Sequence, residues 1–271
     1  CRRQRQMCIR DRKGGGTEKK PIAFSREELG SIMRSTKTRF PTLYPMVVLA
    51  IRTGMRIGEI KGLRWSDIEW HDDKPSIINV NRSVTTDAHG VEITDGKTSN
   101  AARRVPMSQD LEKIMRGWLE EAPSTKEVLS MCIRHRSNNP HVQWVLKQRG
   151  QPSGAVQIAT DRDGYCFVSV GTWVKGDMKT GVLNTTRLGA KLKTIAKISD
   201  IESINGWHDF RHSWISHAVA QGLDWKWIQS VVGHSDLKTT MGYTHLVDKK
   251  DHNIEKVFSG LDSDPRGTLE N

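Results

Sequence analysis

The amino-acid sequence predicts an α+β fold that is mainly α-helical and contains a small antiparallel sheet. Apolar residues recur at helical spacing in the first third of the chain and again in the last third. Between them, residues 76–105 show the short apolar runs and turn signals that are typical of strands. With 271 residues, 36% of them hydrophobic, the chain is long enough to bury a substantial core.

Three short helices are predicted in the first third. Ser25 and Glu28 have the spacing of a capping box, so a helix should begin there. A second apolar run, from Tyr44 to Ile51, ends at the pair Thr53-Gly54. The third segment, RIGEIKGLRWSDI, places its apolar residues on one helical face.

The small sheet is predicted from the runs IINVNRSV, GVEI and RRVP. His89-Gly90 and Asp95-Gly96 are its turn signals. Helical spacing returns from Ser108 to Leu119 and from about Thr185 to Lys197. Residues 122–184 have a weaker pattern, with a possible strand at YCFVSV, and we interpret them as an insertion.

The last third predicts a helix in GWHDFRHSWISHAVAQG that stops at Gly222. A second helix, capped by Asp224, should end at Gly233, and a third should begin after Ser235 and include Tyr243. We therefore divide the chain into a linker or non-native segment at 1–20, one domain at 21–262 and a C-terminal tail at 263–271.

Composition narrows the class of partner. The formal net charge is +11 and the sequence pI is about 9.6, which favours nucleic acid, with an anionic membrane second. No stretch approaches the roughly 20 apolar residues of a membrane span, so we expect a soluble, non-secreted protein. Of the two partners, we expect nucleic acid and no membrane. The four cysteines include no CxxC pair, so neither a disulfide framework nor a zinc ribbon is indicated.

Transfer of a phosphodiester without a metal requires cations, a nucleophile, a base and an acid. The candidates follow local patterns, although each residue alone has an ordinary structural alternative: a surface arginine, a solvated lysine, a polar helix face or a packed tyrosine. Arg56 follows a Thr-Gly break at a helix start, and Lys97 follows a turn. His208 and Arg211 are three residues apart on one helix, with His234 and Tyr243 downstream.

Taken together, these segments closely resemble the tyrosine recombinases of the phage-integrase type. TGMRIGEIKGLRWSDI resembles the first conserved box, HDFRHSWISHAVAQG with VVGHSDLKTTMGYTHL resembles the second, and KTSNAARRVP resembles the lysine hairpin. The resemblance extends over roughly residues 22–257. It implies the DNA breaking-rejoining catalytic domain of that family, and all of the family's catalytic positions are filled in order.

The resemblance implies a role for each residue. Tyr243 would attack the scissile phosphate to form a 3′-phosphotyrosine and release a 5′-hydroxyl. Arg56 and Arg211 would neutralise the non-bridging oxygens, and His234 would add a hydrogen bond to the same phosphate. His208 would act as base and Lys97 as acid. Glu59 is expected to orient a neighbouring group.

The same resemblance implies double-stranded DNA as partner, a homo-tetramer on DNA, no cofactor and no metal. Integration or excision of a mobile element, in the cytoplasm and near the nucleoid of a prokaryotic or virus-infected cell, would follow. The family's helical core-binding domain normally lies upstream and is not found in this sequence, so we expect weak DNA binding by the chain alone. Its segments between Arg56 and Lys97 and between Arg104 and His208 are longer than the family pattern predicts.

Three alternatives stay open at this point. HDFRH could be a zinc site, because two histidines stand at i and i+4, although Asp209 is shorter than the usual Glu and Arg211 would place a cation beside the metal. A DNA-binding module without catalysis could use the helices of the last third. A type IB topoisomerase would use similar catalytic residues.

Overall fold

The computed structural model describes residues 22–87, 90–95, 102–122, 157–161, 164–174, 177–181 and 183–233. The helix predicted after Ser235 and the segment predicted at 1–20 lie outside these residues. Within the described parts of the chain, no helix combines the length and apolar character needed to cross a membrane.

The first three helices match their predicted starts. Helix α1, Arg26–Arg39, begins with the Ser25–Glu28 capping box, in which each side chain accepts a hydrogen bond from the other residue's backbone N–H. Helix α2, Tyr44–Thr53, is buried from Pro45 to Thr53 and forms the centre of the core. Helix α3, Ile57–Gly62, is shorter than its segment suggested, because a 3-10 turn at Trp65–Asp67 follows it.

The predicted small antiparallel sheet is confirmed, but the strands of residues 76–105 are divided between two sheets. Strands β1 (Ile68–Glu69), β2 (Ile77–Val80) and β5 (Arg103–Pro106) make one antiparallel sheet in the order β1-β2-β5. Strands β3 (Arg82–Asp87) and β4 (Gly90–Asp95) pair only with each other among the described strands. The chain therefore leaves the first sheet after β2, makes an excursion through this hairpin, and returns at Arg103.

The middle of the chain contains a helix and a third sheet. Ser108 caps helix α4, Gln109–Glu121, as its side chain accepts from the N–H of Leu111. Strands β6 (Gln157–Ala159), β7 (Val168–Val174) and β8 (Asp177–Gly181) form an antiparallel sheet in the predicted insertion. The strand predicted at YCFVSV corresponds to the beginning of β7.

The last three described helices complete the core. Helix α5 is Thr185–Ile198, helix α6 is His208–Ala220, and helix α7 is Trp225–Val232. Asp224 caps α7 as predicted. Helix α6 packs on α2, and the fully buried indole of Trp214 donates to the carbonyl of Arg52 at 3.0 Å. This contact holds α6, which begins at His208, against α2. Because α2 leads through Gly54 into α3, the beginnings of α6 and α3 belong to one packed unit.

Gly54 joins α2 to α3 in a conformation that requires glycine, and its replacement tests this packing. Its φ is 63°, and a Cβ there would lie 3.1 Å from Cγ of Trp214. Gly54→Ala should therefore lower the free energy of unfolding by about 1–3 kcal/mol in urea. Gly117→Ala is the control: a methyl group there meets nothing within 4 Å, so helix propensity should raise stability by about 0.5–1 kcal/mol. Equal stability of the two variants would contradict this account.

Candidate active site

Arg56 lies at the start of α3, where its backbone and side chain both contact Glu59. The Glu59 carboxylate accepts from the Arg56 N–H at 2.8 Å and from Nη1 at 2.9 Å. The carboxylate therefore occupies the helix start, where backbone N–H groups favour a negative charge. Arg56 Nη2 donates to the carbonyl of Gly233 at 3.2 Å, and 42% of the side chain is exposed. Part of the guanidinium is thus open to a ligand.

Arg211 is almost completely buried, with 1% of its surface exposed. Nη1 donates to the carbonyl of Gly54 at 2.9 Å and Nη2 to the carbonyl of Val232 at 2.6 Å. The side chain therefore joins the end of α2 to the end of α7. Both of these acceptors are neutral, so they orient the guanidinium without cancelling its charge.

Arg103 is a third arginine of this site, and the sequence analysis missed its role. Its Nη1 and Nη2 donate to the two carboxylate oxygens of Glu59 at 2.8 and 2.7 Å. Its Nε donates to the carbonyl of Val231 at 2.6 Å. The alternation of side chains along the strand was the signal that could have indicated this role. Arg103 is two residues before buried Val105, so the two side chains lie on the same, core-facing side of the strand. A charged side chain on that side needs a buried partner.

The three guanidiniums converge on the end of α7. The carbonyls of residues 231, 232 and 233 accept from Arg103, Arg211 and Arg56, respectively. The last carbonyls of a helix lack intrahelical donors and carry partial negative charge, so cations are stabilised there. Glu59 contributes one negative charge against the two arginines that it contacts, which leaves the cluster positively charged and suited to an anion such as phosphate.

His208 opens α6 beside this cluster. Its ring meets the ring of His212 edge to face, with centroids 4.6 Å apart. Partial removal from water lowers the pKa of His208 to about 4, and the positive charges of His212, Arg211 and Arg56 act in the same direction. The imidazole is therefore neutral at pH 7 and able to accept a proton.

Asp209 serves the fold, which weakens the zinc alternative. Its carboxylate accepts from the backbone N–H groups of Asn205 and Gly206, at 2.6 and 3.2 Å, and so fixes the loop that leads into α6. In the described ranges, no three histidine, cysteine or acidic side chains group as metal ligands would.

The lowered pKa values of His208, His212 and His217 predict a loss of stability between pH 7 and pH 5. Imidazoles of the unfolded chain take up protons near pH 6.5, whereas folded His208 stays neutral down to about 4. Acid therefore favours the unfolded chain within this window. Urea midpoints at pH 7 and pH 5 measure the loss, and His208→Asn should reduce it. A loss of the same size in that variant would contradict the lowered pKa.

The structure thus brings together three of the predicted site residues, Arg56, His208 and Arg211. Lys97, His234 and Tyr243 lie outside the described residues, so their roles stay predictions. The chain connectivity still relates two of them to the site. Lys97 belongs to the segment between β4 and Arg103, and His234 directly follows Gly233.

The family comparison and the search of individual proteins match this chain to the same kind of protein. The sequence matches the phage integrase family over residues 23–250. It is 28% identical over 233 residues to the ICEBs1 integrase of Bacillus subtilis (strain 168), covering 85% of this chain and 51% of that protein. It is 39% identical over 242 residues to the tyrosine recombinase XerD of Listeria monocytogenes serotype 4b (strain F2365), covering 88% and 62%. The chain thus spans about half to three fifths of the length of these relatives.

Solved structures show the same fold. The Tn1549 transposon integrase in complex with circular intermediate DNA aligns with a TM-score of 0.57 at 15% identity, covering 83% of this chain and 63% of that one. The crystal structure of XerA recombinase aligns with a TM-score of 0.52 at 21% identity, covering 84% and 60%. At these identities the likeness concerns the fold alone.

Proposed function

This chain belongs to the phage integrase family, and on that premise we propose that it is a site-specific DNA recombinase that acts through a 3′-phosphotyrosine. The observation that supports this most directly is the convergence of Arg56 and Arg211 on the end of α7, next to neutral His208. Two guanidiniums fixed around one point suit a phosphate whose charge grows during reaction.

In the proposed cleavage step, the phenol oxygen of Tyr243 attacks the scissile phosphorus. A bond forms between this oxygen and phosphorus, and the bond from phosphorus to the 5′ oxygen breaks. His208 accepts the phenol proton, and Lys97 donates a proton to the leaving 5′ oxygen. The phosphotyrosine keeps the energy of the broken bond, so attack by a 5′-hydroxyl of another strand rejoins the DNA.

The cations make this step possible. Arg56 and Arg211 neutralise the non-bridging oxygens, and His234 donates a further hydrogen bond to them. Arg56 and Arg211 are fixed before DNA arrives, because Glu59 and backbone carbonyls already hold both guanidiniums. A preorganised site of this kind needs little rearrangement as charge develops.

The proposal extends to the partners. Double-stranded DNA is the substrate, and a homo-tetramer on DNA is the recombining assembly. One relative is named as the integrase of ICEBs1, and a structural neighbour is a transposon integrase in complex with circular intermediate DNA. We therefore assign integration or excision of a mobile element, in the cytoplasm and at the nucleoid of a prokaryotic or viral host cell.

Trapping on nicked DNA tests the proposal. A library of short duplexes with a random centre and a nick is incubated with the chain in EDTA. Cleavage near the nick releases a short fragment, so the covalent adduct cannot be reversed. We expect an adduct from the unsubstituted chain and none from Tyr243→Phe. An adduct that persists in Tyr243→Phe, or none from the unsubstituted chain, would overturn the proposal.

A second assay separates recombination from topoisomerase action. The captured sequences are rebuilt into two duplexes of different length, and strand exchange between them is measured on a gel. A recombinase joins strands of different parents, whereas a topoisomerase reseals each strand to its own.

A further inference from the structure

We infer that Arg103 is a positioning residue of the active site, which fixes Glu59 and the end of α7 and so orients Arg56 toward the phosphate. The inference rests on the proposed function. Arg103 itself is enclosed by protein, with 5% of its side chain exposed, so it acts through its neighbours rather than on DNA.

The first link runs through Glu59 to Arg56. Both carboxylate oxygens of Glu59 accept from Arg103, and the same oxygens accept from the Nη1 and backbone N–H of Arg56. The Glu59 side chain is 7% exposed, so water has little access to replace a lost partner. The orientation of Arg56 therefore depends on Arg103 through one shared carboxylate.

The second link runs to the end of α7. Arg103 Nε donates to the carbonyl of Val231, and a Cβ on Gly233 would lie 3.0 Å from Cδ of Arg103. The arginine stem therefore packs directly under the left-handed turn that ends the helix. A shift of this turn would also move the carbonyl of Gly233, which accepts from Nη2 of Arg56.

The third link concerns the segment that includes Lys97. Arg103 opens β5 opposite Val80, where the chain returns from its excursion. On the outgoing side, Arg82 of β3 forms an ion pair with Asp67 and donates to the carbonyl of Gly62 at 3.3 Å. Arg82 and Arg103, which lie at the two ends of the excursion, are thus joined to α3 and to the turn that follows it.

Lysine cannot reproduce this geometry, which provides the test. An ammonium group carries its charge at a single point. The planar guanidinium of Arg103 instead donates at the same time to both carboxylate oxygens of Glu59 and to the carbonyl of Val231. Arg103→Lys keeps the charge next to Glu59 and should fold. It should lose the simultaneous contacts with Glu59 and Val231, and so the alignment of the site.

The experiment compares Arg103→Lys with Arg104→Lys on a duplex recovered from the trapping assay. Arg104 is the matched control, because it pairs with Glu69 at 2.7 Å but is 61% exposed. Arg103→Lys should slow adduct formation by about 10- to 100-fold, as expected for reacting groups misplaced by about 1 Å. Its duplex Kd should change less than about twofold. Arg104→Lys should leave the rate within about twofold.

A structural control removes the effect of stability alone. Trp118→Phe loses the buried hydrogen bond from the indole to the carbonyl of Cys166 and should be destabilised without slower cleavage by the folded chain. Cleavage by Arg103→Lys at the unsubstituted rate would overturn the inference but not the proposed function. The same holds if the fraction of unfolded Arg103→Lys chain accounts for the whole decrease in its cleavage rate. Absence of any adduct from the unsubstituted chain would overturn the proposed function and the inference with it.

Discussion

Arg211→Ala should lower the rate of DNA cleavage by about 10²–10³-fold or more, the loss typical when one preorganised donor to a developing charge is removed. The carbonyls of Gly54 and Val232 fix the guanidinium next to His208. No other described side chain occupies this position, so alanine leaves it without a positive charge. Single-turnover adduct formation on the recovered site measures the loss. Cleavage within about threefold of the unsubstituted rate would contradict the assigned role.

The same substitution should also weaken the fold, which the sequence alone did not predict. Arg211 is 1% exposed and donates to two backbone carbonyls, and no local pattern in the sequence indicates either feature. Leaving buried acceptors without donors costs about 1–3 kcal/mol each. Arg56→Ala is the comparison, because that side chain is 42% exposed. It should lose cleavage with much less loss of stability.

Glu59→Gln should lower the free energy of unfolding by about 3–5 kcal/mol, because it leaves the buried charge of Arg103 without its counter-charge. Burial acts to raise the pKa of Glu59, but the hydrogen bonds and charges of Arg103 and Arg56 outweigh it and hold the pKa below its ordinary value. The carboxylate therefore contributes stability above about pH 4.5, which is lost as pH falls through its lowered pKa.

Glu69→Gln provides the matched control for this effect. Glu69 pairs with Arg104, the neighbour of Arg103, but both side chains are exposed, 44% and 61%. Exposed ion pairs contribute about 0–1 kcal/mol, so this variant should stay close to the unsubstituted chain. Urea unfolding at pH 7 compares the two. Equal losses of unfolding free energy in the two variants would show that burial does not increase the contribution of the Glu59–Arg103 pair.

Local patterns were sufficient to predict most of the helices. The Ser25 capping box, the Asp224 cap and the glycines that end α2 and α7 all have the predicted roles. These features depend on residues within one helical turn of each other, so the sequence contains the whole of the physical cause.

Features that depend on distant contacts were not predictable. The strands of 76–105 divide into two sheets because β5 pairs with β2 and not with β4. Arg103 gained its role from partners 44 and 128 positions away, Glu59 and Val231. The sequence predicted Arg56, His208 and Arg211 as site residues, and the structure brings them together. The burial of Arg211 depends on the packing of α6 on α2, which no local pattern indicates.

The most direct test of the charge-neutralising role of Arg56 and Arg211 uses DNA with a methylphosphonate at the scissile position. Replacing one non-bridging oxygen with a methyl group removes the negative charge that the guanidiniums are proposed to stabilise. Relative to the unsubstituted chain on the same DNA, Arg56→Ala and Arg211→Ala should then lose far less of their adduct formation than on ordinary phosphate. Deficits of the same size on both substrates would contradict the claim that these arginines act on the charge of the phosphate.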